Sequence, residues 1–582
     1  MKRTGAQLIW EVVTREGVDT VFGYPGGAIL PAYDAMLDYD LRHVLVRHEQ
    51  GASHMADGFA RASGKVGVAV GTSGPGATNL VTGIATAMMD SSPVVFITGQ
   101  VASGVIGKDA FQECDVTGIT EPITKHNYLV NRAEDIVRCL REAFYIARSG
   151  RPGPVLVDIT KDAQQQTIDF EWDDTPIKLP GYRPDLAAAA DTHARAIELI
   201  NQAERPVILA GQGVIMAGAE AELVDFIEKS DTPTAMTLLG LGGLPARHPL
   251  NMGMMGMHGE AWVNQAIQEA DLLLAFGMRF DDRVTGNLAT YARNAKKIHI
   301  DIDPAEIDKN VFADVGIVGD LKTVLREITP RVQAKKRAQW VGYINSIKGD
   351  CAVRDIQKLP DDGHLYAAHV ISDLCRFTRE DAIIVTDVGQ HQMWAAQYYK
   401  HQQSRTLITS GGLGTMGFAL PAALGAKVAC PDRDVWVIAG DGGFQMTACE
   451  LSTAAQWGIN VNIAVINNGY LGMVRQWQEF FYERRYSATP ITCPDLVKLA
   501  EAHGLTGLRV ETRGDVESAV RQARDTGKTV VVDFRVEQED SVFPMVPAGN
   551  DLNDMIRRPD TVSAPPPEGA EHNPIFETAS DS

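Results

Sequence analysis

Val435-Trp436-Val437-Ile438-Ala439-Gly440-Asp441-Gly442-Gly443 opens the stretch that decides the fold. The helical pattern Gln445–Trp457 follows, and then Ile463-Ala464-Val465-Ile466-Asn467-Asn468-Gly469-Tyr470. An apolar run that stops in Gly-Asp-Gly-Gly, a helix and a second apolar run form a strand–helix–strand unit, the repeating piece of a parallel sheet covered by helices on both faces. Ligands of such sheets sit at the carboxyl ends of the strands, where a helix start offers unpaired N–H groups to phosphate. Residues 443 to 466 separate the two loops, so Asp441 and Asn468 stand at the tips of neighbouring strands. A hard cation such as Mg²⁺ takes octahedral oxygen ligation and prefers one or two protein oxygens beside phosphate oxygens. This pair can supply them.

Outward from this stretch the same rhythm recurs. Val66–Thr72, Val94–Thr98 and Val155–Ile159 read as strands of a first block. Val207–Gly211, Leu272–Gly277 and Ile298–Ile302 belong to a second, and Ile383–Asp387 and Val530–Phe534 complete the third. The expected fold class is α/β, with three doubly wound parallel-sheet domains at 1–165, 190–335 and 361–546. Linkers at 166–189, around the polar, proline-containing Gln164–Asp185, and at 336–360 join them. A tail at 547–582, rich in Pro, Asp, Asn and Ser, is expected to be mobile. A chain of 582 residues exceeds one hydrophobic core and fits about three.

A formal charge of -20 opposes nucleic acid and anionic membrane as partners, because the mean field repels phosphate. An anionic substrate must therefore meet local positive groups. The seven cysteines show no CxxC or metal-like spacing, which fits a reducing cytoplasm better than a disulfide framework or a zinc site. Met1–Gln7 runs straight into the helical pattern Leu8, Ile9, Val12, Val13, interrupted by Glu11 and Glu16, so no signal peptide is read there. No apolar run reaches the ~18 residues of a membrane span.

Gly440-Asp441-Gly442-Gly443 joined at this distance to Asn467-Asn468 matches the fingerprint of thiamin-diphosphate enzymes. More specific segments are Phe111-Gln112-Glu113, Gly150-Arg151-Pro152-Gly153-Pro154, Gly256-Met257-His258-Gly259, Arg279-Phe280-Asp281-Asp282-Arg283, His299–Pro304, Asp387–Gln392 and Leu471–Trp477. With these the chain, from about residue 4 to 550, resembles the large catalytic subunits of the acetohydroxyacid synthase (acetolactate synthase) family.

The resemblance implies three domains that bind the coenzyme's pyrimidine, FAD and the coenzyme's diphosphate. It places Mg²⁺ on Asp441, Asn468 and the backbone carbonyl of Tyr470. Val388, Gly389, Gln390, His391, Gly414, Gly440, Gly442, Gly443, Leu471, Gly472 and Met473 surround the thiamin diphosphate, and Met416 props it in a bent shape. Pro25, Gly26, Thr72 and Asn79 lie with Glu49 about the pyrimidine. Glu49, in Val46-Arg47-His48-Glu49-Gln50-Gly51-Ala52, leads into a small-residue helix between the tight loops Phe22–Gly27 and Thr72–Gly76. A carboxyl there protonates the aminopyrimidine so that its 4′-imine removes the thiazolium C2 proton, and enclosure in apolar surroundings is expected to tune it.

FAD, in a role without redox chemistry, falls to Arg151, Gly211, Gln212, Gly213, Met257, His258, Gly277, Arg279, Asp281, Asp301, Ile302 and Asp320. Arg283 receives the carboxylate of the incoming keto acid, for which a planar guanidinium is suited. Trp477 favours the larger acceptor, and Gln112 and Lys161 line the substrate channel. Gly469 stands where relatives often carry a larger residue.

The implied reaction decarboxylates pyruvate and ligates its hydroxyethyl group to a second pyruvate, giving 2-acetolactate, or to 2-oxobutyrate, giving 2-aceto-2-hydroxybutyrate. This is the first common step of branched-chain amino-acid synthesis. A homodimer or homotetramer with active sites shared between subunits, and a separate small regulatory subunit, are implied too. Two neighbouring activities stand beside it: a pyruvate oxidase that passes electrons to FAD, and glyoxylate carboligase, which lacks the activating glutamate and is disfavoured by Glu49. A non-catalytic nucleotide-binding subunit would release no CO₂.

Overall fold

A computed structural model describes residues 1–184, 190–348 and 363–558. Three six-stranded sheets, all parallel, account for its strands, apart from one antiparallel pair, Lys2–Thr4 against Thr167–Asp169. In spatial order the first sheet is Arg42–Leu45, Thr20–Gly23, Gly67–Gly71, Val94–Gln100, Val155–Thr160, His126–Val130. The second is Asn251–Met254, Thr234–Met236, Pro206–Ala210, Leu272–Phe276, Lys296–Asp301, Val315–Val318. The third is Leu407–Thr409, Ile383–Thr386, Val435–Gly440, Asn462–Asn467, Val530–Arg535, Thr506–Val510. The winding direction reverses across the third-to-fourth strand gap of the second sheet and across the second-to-third gap of the other two, which turn back once more at their far edge. The crevice outside the carboxyl ends of the two strands flanking that first reversal is where such sheets hold ligands.

The first and third units share one apolar cluster, which runs from Phe22, Val44, Met55 and Phe96 to Val385, Phe418, Leu424, Val437 and Ile463. Two helices make this contact, Glu49–Ser63 and Ala419–Ala429, and both are rich in small residues. A Cβ on Gly58 would fall on the Ala422 carbonyl, and one on Gly425 would fall on that of Met55. Glycine at both crossing points is therefore what lets the backbones approach. Beside the crossing, Arg61 donates to Asp57 at 2.6 Å and to Asp90 at 2.9 Å, all three buried. The Arg61 guanidinium also reaches the Thr409 carbonyl at 2.7 Å. Asp90 takes the Gly411 and Gly412 amides, at 3.1 and 2.6 Å, so the buried charges are paired across both units. The middle unit joins through Arg151, which donates to Ser91 at 2.8 Å, Asp303 at 3.1 Å and Glu306 at 2.7 Å.

The residues assigned to linkers and tail carry more structure than their composition indicates. Thr167–Asp169 is a strand, and Ala338–Ile347 is a helix whose Trp340 donates to Pro206 O at 3.0 Å inside the middle unit. Past Pro547, Asn550 O accepts the Asn287 amide at 2.9 Å and Leu552 is buried, because this segment finds an apolar seat beside Val284 and Phe280. Tail residues 559–582 and linker residues 185–189 and 349–362 lie outside the described residues.

Gly58→Ala tests the crossing. Overpacking should destabilise by about 1–3 kcal/mol, read as a lower Tm in a thermal melt. An unchanged Tm would show that the two helices can part freely.

Candidate active site

Asp441 follows the strand Val435–Gly440 and begins the helix Asp441–Thr447, four residues earlier than the pattern from Gln445 indicates. Its carboxyl is buried. Oδ2 accepts the Gly469 amide at 3.1 Å, whereas Oδ1 has no hydrogen-bond partner. Burial pushes this carboxyl up to about 7, so its ionised form waits for compensation. On the adjacent strand tip Asn468 donates through Nδ2 to Gln390 Oε1 at 3.3 Å, which orients the amide. Asn468 Oδ1 accepts only the Tyr470 N–H, at 3.1 Å, and keeps a lone pair. A dry, orphaned carboxylate oxygen beside an oriented amide oxygen is the donor set Mg²⁺ takes when phosphate fills its remaining positions.

The cavity around these atoms is lined by Val388, Gly389, Gln390, His391, Met416, Gly440, Gly442, Gly443, Leu471, Gly472 and Met473, together with Tyr470. Glycine forms its walls for a physical reason. A Cβ on Gly443 would strike the Asp387 carboxylate, one on Gly440 would come within 2.9 Å of the His391 ring, and one on Gly472 would overlap Gln390. The main chain is thereby left open to a bulky anion. Gly414 stands outside the lining, next to Val388.

Asp387 accepts the amides of Val388 at 2.9 Å and Gly417 at 2.9 Å, fixing the loop that carries Met416. Burial pushes its carboxyl up to about 7, and burial holds His391 down at about 3, a neutral ring with Nε2 unpartnered. Asp387, Trp394 and Val474 were not among the site residues read from sequence. The strand-end acid was visible there, but its two loop donors were not.

Glu49 does not line this cavity. It starts the helix Glu49–Ser63 and accepts Asn79 Nδ2 at 2.9 Å. Gly26 and Gly76 close round Thr72, whose Oγ1 takes the Ala28 amide at 3.3 Å. Pro25 precedes that turn, so the residues expected about the pyrimidine gather at the reversal of the first sheet. Glu49 is half-buried rather than enclosed as expected. Gln112 adopts φ 61° and packs its backbone on Gly74, and Gln100 donates to Cys114 O at 2.7 Å and to Asp158 at 2.9 Å, holding the loop's end. Lys161 opens the helix Lys161–Gln165, half-buried.

Arg283 is exposed, on the short helix Asp282–Thr285, and its NH1 lies 3.6 Å from Met257 Sδ. Trp477 lies one turn beyond Met473 on the helix Gly472–Phe481. No hydrogen bond joins them directly, but one strap does so indirectly. Gln476 exchanges hydrogen bonds with the Val542 main chain, and Val546 N donates to Met257 O at 2.9 Å. Gln397 adds bonds to His258 O and Phe543 O.

Of the residues assigned to FAD, Gly211, Gln212, Gly213 and Gly277 stand at the reversal of the second sheet, Asp301, Ile302 and Asp320 lie at or just past the ends of its next two strands, and Arg151 reaches in from the first unit. Gly211 and Gly213 pack against Gly277, which has φ 57°, with Arg279 and Asp281 beside them. Burial pushes Asp301 up to about 6 and holds His258 down at about 4. Ile302 follows Asp301, and Asp320 caps the helix Leu321–Ile328. A larger cleft of about 610 Å³, walled by Arg42, Lys427, Arg433 and Arg524, lies at the amino ends of the third sheet's strands and contains no expected residue.

The chain matches "Thiamine pyrophosphate enzyme, N-terminal TPP binding domain" over residues 3–119. The central domain of the same enzymes matches over 193–328 and the C-terminal TPP binding domain over 387–534. It is 51% identical over 567 residues to an acetolactate synthase of Mycobacterium bovis, covering 95% of this chain and 91% of that protein. The acetolactate synthase large subunit of Corynebacterium glutamicum is 50% identical over 566 residues, covering 95% and 90%. A probable acetolactate synthase large subunit of Methanocaldococcus jannaschii is 47% identical over 566 residues, covering 95% of each.

Asp441→Ala should weaken Mg²⁺-dependent binding of thiamine diphosphate by at least about 100-fold, more than the loss of an outer-shell partner, while leaving the Tm of the coenzyme-free protein unlowered. Calorimetry and thermal melts check both. Asp158, pushed up to about 7 by burial, binds a proton in the fold that the unfolded chain releases near 4. Its contribution to stability is therefore lost as pH rises from about 4 to about 7. The Tm of Asp158→Asn should fall less between pH 5 and pH 7 than that of the parent, and equal slopes would refute this.

Proposed function

We infer the working site from the premise that the chain belongs to the thiamine pyrophosphate enzymes and, within them, to the acetolactate synthase large subunits. Its reaction is the thiamine-diphosphate-dependent condensation of pyruvate: one molecule loses CO₂, and the two-carbon remainder is joined to the carbonyl carbon of a second. The coenzyme, when bound, supplies the electron sink for that cleavage, and Mg²⁺ neutralises its diphosphate.

The observation that carries the residue assignment is Asp441 Oδ1, dry and without a partner between glycines that leave the main chain bare. Asp441, Asn468 and the Tyr470 carbonyl hold Mg²⁺, and Gly442, Gly443 and the Val388–His391 loop hold the diphosphate. Met416, on the loop tied down by Asp387 and Asp90, supports the coenzyme from below. Glu49 holds a proton at the pyrimidine nitrogen, with Asn79 orienting its carboxylate. Because Glu49 does not line the cavity that holds Asp441, each active site takes Glu49 from one subunit and the metal from another, which makes a dimer the smallest complete unit.

Arg283 pairs with the acceptor's carboxylate, and Trp477 packs on its alkyl group, so that 2-oxobutyrate competes with pyruvate by an added apolar contact of about 1–3 kcal/mol. Gln112 and Lys161 flank the channel from the first unit. The glycine contact at Gly211, Gly213 and Gly277 suits FAD, bound without electron transfer. The words "large subunit" in the relatives' names fit a separate small regulatory partner. Among the described residues no helix is long and apolar enough to cross a membrane, and six described cysteines are free, which supports a cytoplasmic setting.

Incubation with pyruvate, thiamine diphosphate, Mg²⁺ and FAD should yield CO₂ and 2-acetolactate without matching oxygen uptake. Stoichiometric peroxide would identify an oxidase instead. Glu49→Gln should slow C2-proton exchange of the bound coenzyme by about 10²–10⁴-fold, as measured by quenched-flow NMR, and unchanged exchange would remove Glu49 from its role.

A further inference from the structure

The amides just before Glu49 are gripped by an acid far along the chain. Glu450, fully buried, accepts the Arg47 N–H with both carboxylate oxygens, at 3.1 and 3.2 Å, and the His48 N–H at 3.1 Å. Thr453 Oγ1 donates to Oε2 at 2.5 Å. A Cβ on Gly51 would fall on Oε1, so the first turn of the helix Glu49–Ser63 is shaped round this carboxylate. A carboxylate this dry persists only when its lone pairs are met, and three of its four bonds come from this one junction.

Glu450 also closes the turn Ala448–Glu450 that directly continues the helix begun by Asp441. One short path in a single chain therefore links a metal ligand to the backbone that presents Glu49.

We propose that Glu450 is a positioning residue for Glu49: as a hydrogen-bond acceptor it fixes the Arg47–Glu49 junction and so the place at which the Glu49 carboxylate meets the pyrimidine. The inference rests on the reading of Glu49 given above. The remaining anchorage of the helix, through Gly58 on Ala422, Gly425 on Met55 and the Arg61 ion pairs, does not involve Glu450. Loss of the acceptor should therefore act on the junction and leave the two units together.

Glu450→Ala, Glu450→Asp and Glu450→Gln are compared with Glu49→Gln in the full-length protein. Three quantities are measured: amide hydrogen exchange over residues 45–52 without coenzyme, C2-proton exchange of bound thiamine diphosphate, and thiamine diphosphate affinity with Mg²⁺. Removing or withdrawing the acceptor, as in Ala or Asp, should speed amide exchange at least tenfold and slow C2 exchange at least tenfold, with affinity within threefold of the parent. Gln keeps Oε1 towards both amides and should restore both exchange rates to within threefold.

C2 exchange within threefold of the parent in the Asp variant would overturn the proposal. So would a Gln variant as slow as Asp, or an affinity that falls in step with exchange. Should the Ala variant fail to assemble, the Asp and Gln pair decides. Unchanged C2 exchange in Glu49→Gln would overturn the role of Glu49 and this inference with it, whereas a slow Glu49→Gln beside a normal Glu450→Asp removes Glu450 alone.

Discussion

An acceptor oxygen kept from water and given no donor raises the energy of a fold by about 1–3 kcal/mol, more when it is charged. The third sheet holds Asp441 Oδ1 in that condition. The neighbouring features are arranged about the same atom. Gly469 occupies the other oxygen, Gln390 orients the Asn468 amide, and glycines at 440, 442, 443 and 472 keep side chains off the main chain. A cation bound by an anionic partner relieves the cost. A residue kept at such a cost is what a site built for a ligand would show.

The three units solve one topological problem three times. The first reversal of winding in each sheet carries a glycine-bearing turn: Gly26 and Gly76 in the first, Gly211 and Gly277 in the second, Gly389 and Gly442 in the third. What differs is the chemistry set on the rim. A carboxylate with an amide donor stands on the first, arginines and acids on the second, and an unpartnered carboxylate oxygen beside an oriented amide on the third. The first and third are welded by two glycine-notched helices into one core, so Glu49 and Asp441 keep a fixed relation within a chain although Glu49 lies outside the cavity of Asp441.

How much of this was legible in the sequence depends on the range of the interaction. Asp441, Asn468 and their glycines follow apolar strands directly, so period and punctuation alone place them. The central strand Asn462–Asn467 carries the unbroken apolar run Ile463–Ile466, which shows directly in the sequence. Short strands such as Thr234–Met236 and Leu407–Thr409 carry too few residues for a period to show. The seat of Leu552 against the middle unit, the hold of Glu450 on Arg47 and the charges about Arg61 all join residues far apart in the chain, and nothing local announces them. The half-open setting of Glu49 was missed for a related reason, since burial is set by what packs over the helix start and not by the local sequence.

Anomalous diffraction from crystals grown with thiamine diphosphate and Mn²⁺ in place of Mg²⁺ bears most directly on the buried carboxylate. The metal peak should lie at bonding distance, roughly 2.0–2.3 Å, from Asp441 Oδ1 and Asn468 Oδ1, with the far ring of the same coenzyme against Glu49 of another copy of the chain. A peak away from Asp441, or a coenzyme whose two ends touch a single chain, would contradict the arrangement described.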